Sequence, residues 1–137
     1  QVKWHGGGLW QMHRSWIDMQ KFVRAHTDKN AMILTPYDTE YGGFRIYSER
    51  KVLVCYRDCG IIGFDYNAAV EWNKRIKEIE QFRMMSNQSI EPSVINAIKK
   101  YHVDYIVFMN YYQPGEGIPL FTKMYQNEVL ALYKVNY

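Results

Sequence analysis

The stretch AMILTPYDTEYGGFRIYSERKVLVCYRD, residues 31–58, governs how the rest of the chain is read. It opens on a short apolar run, Ala31 to Thr35, of strand length. Pro36 stops that run, because proline has no N–H for a sheet ladder. A second apolar run, Lys51 to Tyr56, closes the stretch. Between them, Phe44 to Ser48 alternates aromatic or aliphatic with polar residues, as a half-buried strand does. Ser48-Glu49-Arg50 is then a tight connection, so 44–48 and 51–56 are expected to pair as an antiparallel hairpin. The loop after Pro36 holds two carboxylates, Asp38 and Glu40, with glycines and aromatics. A buried strand needs no Asp-Thr-Glu, and a simple turn needs no Pro-Tyr before it. Loops between core strands are where a scaffold presents chemistry to solvent. The candidate ligand-contact residues are therefore Tyr37, Asp38, Glu40, Tyr41, Phe44, Arg45 and Arg50.

Outward from this stretch, helices and strands alternate. Residues 1–14 read as a flexible lead-in, with Gly6-Gly7-Gly8 opposing regular structure. Ser15 is placed to cap a helix that carries Trp16, Met19 and Val23 at helical spacing and ends near Thr27. Asn67 to about Met85 is the longest expected helix, with Ala69, Trp72, Ile76, Ile79 and Phe82 as its apolar stripe and Glu71, Lys74, Lys77 and Glu78 outside. A further helix begins at Ser89, with Pro92 in its first turn and Val94, Ile95 and Ile98 inward. Asp104 to Met109 is a nearly continuous apolar run suited to a central buried strand. Leu120 to Tyr125 and Val129 to Val135 flank Gln126-Asn127-Glu128 as a closing hairpin. The expected fold is α/β: a mixed sheet of about five strands packed with three helices, a single-domain sandwich over residues 15–137.

Composition narrows the function classes. The net charge of +3 is mild and the basic residues are dispersed among acids, which disfavours nucleic acid as a partner. The 12 tyrosines and 4 tryptophans are many for this length. Such amphipathic rings suit either a surface that contacts sugars, peptides or lipid headgroups, or a core built from aromatics. Cys55 and Cys59 would lie roughly 13 Å apart in one extended strand, too far to bridge, although a turn at Arg57-Asp58 would bring them together. No histidine or second cysteine pair completes a zinc site. No run reaches the roughly 18 apolar residues of a membrane span, and VKWHGGGLW lacks the apolar core of a signal peptide. The chain begins at Gln1 without methionine and is expected to be a piece of something larger.

Recognisable catalytic signatures are missing: there is no Gly-rich phosphate loop, nucleophile elbow or zincin helix. No catalytic residue, metal ligand or cofactor is nominated. Asp38 and Glu40 read as solvated loop acids, a carboxylate pair or oxygen ligands to a cation. Arg45 and Arg50 read as ion-pair partners of Asp38 and Asp58, or as grips on a carboxylate or phosphate. His5, His13, His26 and His102 have no partner at a recognisable spacing.

The ordered set of segments (a tryptophan-bearing helix, AMILTP, GGFRIYSER, KVLVCYRD, a helix with EWNKR, YHVDYIVF and a terminal VLALYKV) resembles the soluble extracytoplasmic domain that follows the last membrane helix in polytopic proteins of the GT-C glycosyltransferase type. The resemblance covers roughly residues 15–136. It implies an accessory, non-catalytic domain on the periplasmic or outer face of a membrane, partnered by the membrane-embedded part of the same polypeptide and by a glycan or lipid-linked sugar. In oligosaccharyltransferases an aromatic-aromatic-Asp motif after the equivalent strand contacts the acceptor peptide. Thr35-Pro36-Tyr37-Asp38 keeps one aromatic and the aspartate but lacks the tryptophan pair, which argues against sequon recognition. In this reading the acids accept sugar hydroxyls, the arginines grip an anion, and Tyr41 and Phe44 stack on a ring. Two other readings remain open: a small soluble hydrolase using Asp38 and Glu40, and a protein-interaction module with a tyrosine hot-spot face.

Overall fold

The apolar run after Asp104 forms the middle of a five-stranded mixed sheet with strand order β2-β1-β3-β5-β4. The strands are β1 (Met32–Leu34), β2 (Lys51–Val52), β3 (Tyr105–Met109), β4 (Phe121–Gln126) and β5 (Leu130–Val135). The helices are α1 (His5–His26), α2 (Arg45–Ser48), α3 (Tyr66–Ile79) and α4 (Pro92–Lys100), with a 3₁₀ turn at Asn110–Tyr112. The computed structural model describes residues 5–36, 43–54, 65–79 and 92–137. β1 runs parallel to both β2 and β3, while β5 is antiparallel to β3 and to β4. This is the expected α/β sandwich.

Period-two alternation along the strands separates two apolar layers. Leu34, Ile106, Phe108, Ala131, Tyr133 and Val135 point to one face, where Ile76 and Ile79 of α3 and Val94, Ala97 and Ile98 of α4 cover them. Ile33, Val107, Leu130 and Leu132 point to the other, where Trp16, Met19 and Val23 of α1 and Phe44 cover them. A sheet with both faces covered needs strands that are apolar throughout, as 105–109 and 130–133 are.

Two local expectations are corrected. Helix α1 begins at His5 and runs through Gly6-Gly7-Gly8, where a lead-in was expected up to residue 14. Glycine costs a helix about 1 kcal/mol per residue, a weak preference that docking of later turns overrides. Ser15 is a buried mid-helix residue, not a cap, and its carbonyl accepts a bond from Asn127 Nδ2 at 2.8 Å. That bond ties α1 to the β4–β5 turn.

The second correction concerns residues 44–48. They form the single helical turn α2 instead of a strand, and β2 pairs parallel to β1 instead of closing a hairpin with 44–48. Phe44 and Ser48 are both buried, and their spacing of four places them on one side of a helical turn. The Ser48 hydroxyl donates to the Phe44 carbonyl at 2.6 Å. Buried Gln20 of α1 accepts the Tyr47 N–H at 3.0 Å, supplying a partner that the short turn lacks within itself. Glu49 then ends the turn in the left-handed region at φ 52°. Alternation alone could not distinguish these arrangements, because the decisive partner, Gln20, lies in another element.

The opposite end of the sheet is closed by α4. Val103 N–H reaches the Ile98 carbonyl and His102 N–H the Lys99 carbonyl, at 3.0 and 3.3 Å. That is a Schellman closure with His102, at φ 50°, in the position usually held by glycine. The His102 ring stacks on Tyr137 at 4.6 Å, and Asp104 Oδ2 accepts the Met32 N–H at 2.8 Å. The Tyr137 hydroxyl donates to the Ile98 and Val103 carbonyls at 3.0 and 2.6 Å. Burial of that hydroxyl, reinforced by Asp104, pushes its pKa from 10.0 up to about 12. A raised folded pKa means the contribution to stability is complete below the unfolded value of 10.0 and disappears as pH rises towards about 12. Urea unfolding at stepped alkaline pH should therefore show stability falling across that window, and Tyr137→Phe should flatten the fall. An unchanged slope in the variant would place the alkaline sensitivity elsewhere.

Candidate functional site

The topology singles out one edge of the molecule. From β1 the chain leaves towards β2, on one side, carrying α2 on the face of α1. From β3 it leaves towards β4, on the other side, through the 3₁₀ turn. Neighbouring parallel strands whose outgoing chains part in opposite directions define a switch point, and open α/β sheets bind ligands outside the carboxyl ends of such strands. Here that edge is formed by Thr35-Pro36 after β1 and by Asn110–Gln113 after β3. Leu34 pairs with Ile106, so Tyr37 and Met109 each follow the paired position by three residues.

The expected site residues divide accordingly. Tyr37, Asp38, Glu40 and Tyr41 lie outside the described residues, as do Asp58, Cys55 and Cys59. Arg45 is exposed on α2, and its Nη2 donates to the Val52 carbonyl of β2 at 2.9 Å.

Phe44 is not available to stack on a ligand: it is 3% exposed and packs edge-on against Trp16 with centroids 5.3 Å apart. Arg50 is also turned inward. Its Nη2 donates to the Arg24 and Thr27 carbonyls at 2.8 and 2.9 Å, and its Nε to Thr27 Oγ1 at 2.9 Å. These contacts close the carboxyl end of α1 and leave Arg50 outside the contact surface.

After β3, Asn110–Tyr112 presents two exposed rings, Tyr111 and Tyr112, with centroids 4.6 Å apart and planes at 64°. The backbone beneath them is fixed. Asn110 N–H donates to the Val129 carbonyl at 2.8 Å and Asn110 Nδ2 to the Asn127 carbonyl at 2.9 Å. Gln113 Nε2 donates to the Asn110 carbonyl at 3.1 Å, and its Oε1 accepts the Tyr133 hydroxyl at 2.9 Å. Burial, followed by nearby Glu116, raises the Tyr133 pKa and keeps that hydroxyl a donor. Asn110 Oδ1 is buried with no hydrogen-bond partner. The sequence signal was the pair of tyrosines immediately after the central strand.

Residues 14–79 match the family described as Domain of unknown function (DUF6798). The match takes in most of α1 together with β1, α2, β2 and α3, a little under half of the chain. It includes the β1 loop, Arg45 and Arg50, and leaves β3, the tyrosine turn and the β4–β5 hairpin outside. No curated protein matches the chain.

Ionic groups away from this edge have structural partners. Lys100 and Glu78 join α4 to α3 at 2.6 Å, and this bond is the main reason the Glu78 carboxyl is held below its ordinary pKa. Arg75 and Lys100 both lie over the Tyr101 ring, at 5.1 and 5.2 Å. Arg75 also bonds Glu71 at 2.9 Å and the Leu53 carbonyl at 3.0 Å. Among the described residues, no three His, Cys, Asp or Glu side chains are grouped to hold a metal ion. No described helix is long and apolar enough to cross a membrane.

The surface distribution of aromatics bears on the two readings of composition. Of the described tyrosines only Tyr133 is buried, while Tyr47, Tyr66, Tyr111, Tyr112 and Tyr137 are exposed. The core is mainly aliphatic, with Trp16, Phe44, Phe108 and Phe121 among its buried rings. Tyr101, Tyr105 and Tyr125 are half-buried against it, so the described tyrosines other than Tyr133 divide between the surface and the margin of the core.

Proposed function

We propose that this chain is an accessory, non-catalytic ligand-contact domain of a polytopic membrane protein that handles glycans or lipid-linked sugars, on the extracytoplasmic side. The observation that supports the binding edge is the switch point between β1 and β3, because open α/β sheets receive ligands outside the carboxyl ends of such strands; Tyr37, Asp38, Glu40 and Tyr41 follow β1 in the sequence. Carboxylates accept hydroxyl protons and tyrosines cover apolar ring faces, so this residue set suits a sugar better than an apolar ligand. The membrane setting is supported by the ordered resemblance to GT-C-type extracytoplasmic domains.

The test is fractionation of the complete native gene product, tagged and washed in alkaline carbonate. The expected product stays in the membrane pellet and migrates far above the 16.4 kDa of this chain. A carbonate-soluble product of about that mass would sink the membrane reading and bring the small-hydrolase and interaction-module readings forward.

A further inference from the structure

We infer that Tyr111 and Tyr112 form a carbohydrate platform at the carboxyl end of β3, and that its ligand is an uncharged pyranose ring. This deepens the reading above and rests on it. Three observations on described residues converge. Tyr111 and Tyr112 are 61% and 40% exposed, so they are not there to fill the core. Neither ring is a scattered surface aromatic, since the two are adjacent on one turn at the carboxyl end of the central strand. Their backbone is held from both directions, by the β4–β5 turn through Asn110 and by Tyr133 through Gln113. Fixing rings before a ligand arrives removes ordering cost from the binding step.

The chemistry favours a sugar. Aromatic faces carry negative charge density, and the C–H bonds on one side of a pyranose present weakly positive hydrogens to such a face. Rings inclined at 64° form a corner, in which one ring covers the C–H side while the other brings its phenol to the sugar's rim. The phenols of these exposed rings can donate to or accept from sugar hydroxyls. A nucleotide could stack on similar rings but would also need a phosphate cradle, and the sequence carries no glycine-rich phosphate loop.

The experiment is an NMR titration of the 137-residue chain, isotope-labelled at tyrosine, with chitotetraose, cellotetraose, maltotetraose and mannotetraose in turn. Phenylalanine variants assign the ring signals. The expected result is saturable movement of the Tyr111 and Tyr112 signals with at least one oligosaccharide, while buried Tyr133 responds less. Tyr111→Ala and Tyr112→Ala should each weaken that binding about tenfold or more, equivalent to about 1.4 kcal/mol. Tyr111→Phe should retain most of it, because the face survives. Both side chains are exposed, so the alanine variants keep the fold. If an oligosaccharide moves only Tyr37 and Tyr41 signals, the platform is overturned and the glycan reading of the β1 loop stands. If none of the four moves any tyrosine signal, both are overturned.

Discussion

Replacing Phe108 with alanine is expected to lower stability by about 3–5 kcal/mol, the range for removing a large aromatic from a packed core. Phe108 is 1% exposed at the centre of β3, the strand that pairs with β1 on one side and β5 on the other. Its ring meets Phe121 and Tyr133 edge-on, at centroid distances of 6.2 and 5.3 Å. Those neighbours are attached to β4 and β5 and cannot collapse into the space without disturbing the hairpin. The remaining hole faces Val94 and Ile98 of the same apolar layer, which are held by α4. A domain of this size has a total stability of about 5–15 kcal/mol, so the variant should be marginal. Urea unfolding with Tyr66→Ala as the control tests this. Tyr66 is 81% exposed, and its loss should stay within about 0.5 kcal/mol. A Phe108→Ala cost below about 1.5 kcal/mol would mean that this layer repacks and is not the rigid centre described here.

Phe108 also illustrates what could be read in advance. An apolar run such as DYIVFM has few options: it is too short for a long helix and too apolar for an edge. Buried central strand was the consistent reading, and β3 occupies that place. The terminal hairpin was legible for a similar reason, because two strand-length runs flank a polar turn. Pro92 marked the first turn of α4 because its missing N–H has no partner to lose there.

Residues 44–48 were not legible. Their alternation fits a half-buried strand as well as it fits two buried residues four apart on one helical turn. The choice is made by Gln20, 27 residues away in sequence, and by the pairing of β2 with β1. The start of α1 is not legible either, because glycine propensity opposes a helix through Gly6-Gly7-Gly8 that the fold nonetheless forms.

For the candidate site, location and chemistry separated. Pro36 marks the end of β1 in the sequence. The tyrosine turn could not be placed at the same end of the sheet without the strand order, because β1 and β3 are distant in sequence and adjacent only in the sheet. Phe44 and Arg50 were selected as contact residues because they flank the segment after Pro36 in sequence. In the fold both turn inward, Phe44 against Trp16 and Arg50 onto the carboxyl end of α1.

Arg50→Ala should destabilise the fold by about 2–4 kcal/mol, since charge-assisted bonds contribute about 1.5–3 kcal/mol each and act here as a non-additive group. The last carbonyls of any helix lack partners within it. At the end of α1, Arg24 and Thr27 carbonyls receive the Arg50 guanidinium, and Thr27 Oγ1 accepts its Nε while donating to the Val23 carbonyl at 2.6 Å. The Ser48 and Glu49 carbonyls lie at 3.4 and 3.3 Å from Nη1. No described carboxylate pairs with this charge. It is accommodated by carbonyl dipoles and by the negative end of the helix. Alanine would leave several of these oxygens without a donor while opening a space between α1 and the β2 strand. Lysine should rescue little, because one ammonium cannot reach three acceptors arranged for a planar fork. The informative comparison is with Arg24→Ala. Arg24 meets Glu49 at 3.3 Å, but both side chains are 58% exposed, and such a pair is worth at most about 1 kcal/mol. Adjacent arginines at the same helix end should thus differ by severalfold in unfolding free energy. Equal effects would return Arg50 to the solvent-facing role that its place beside the loop first suggested.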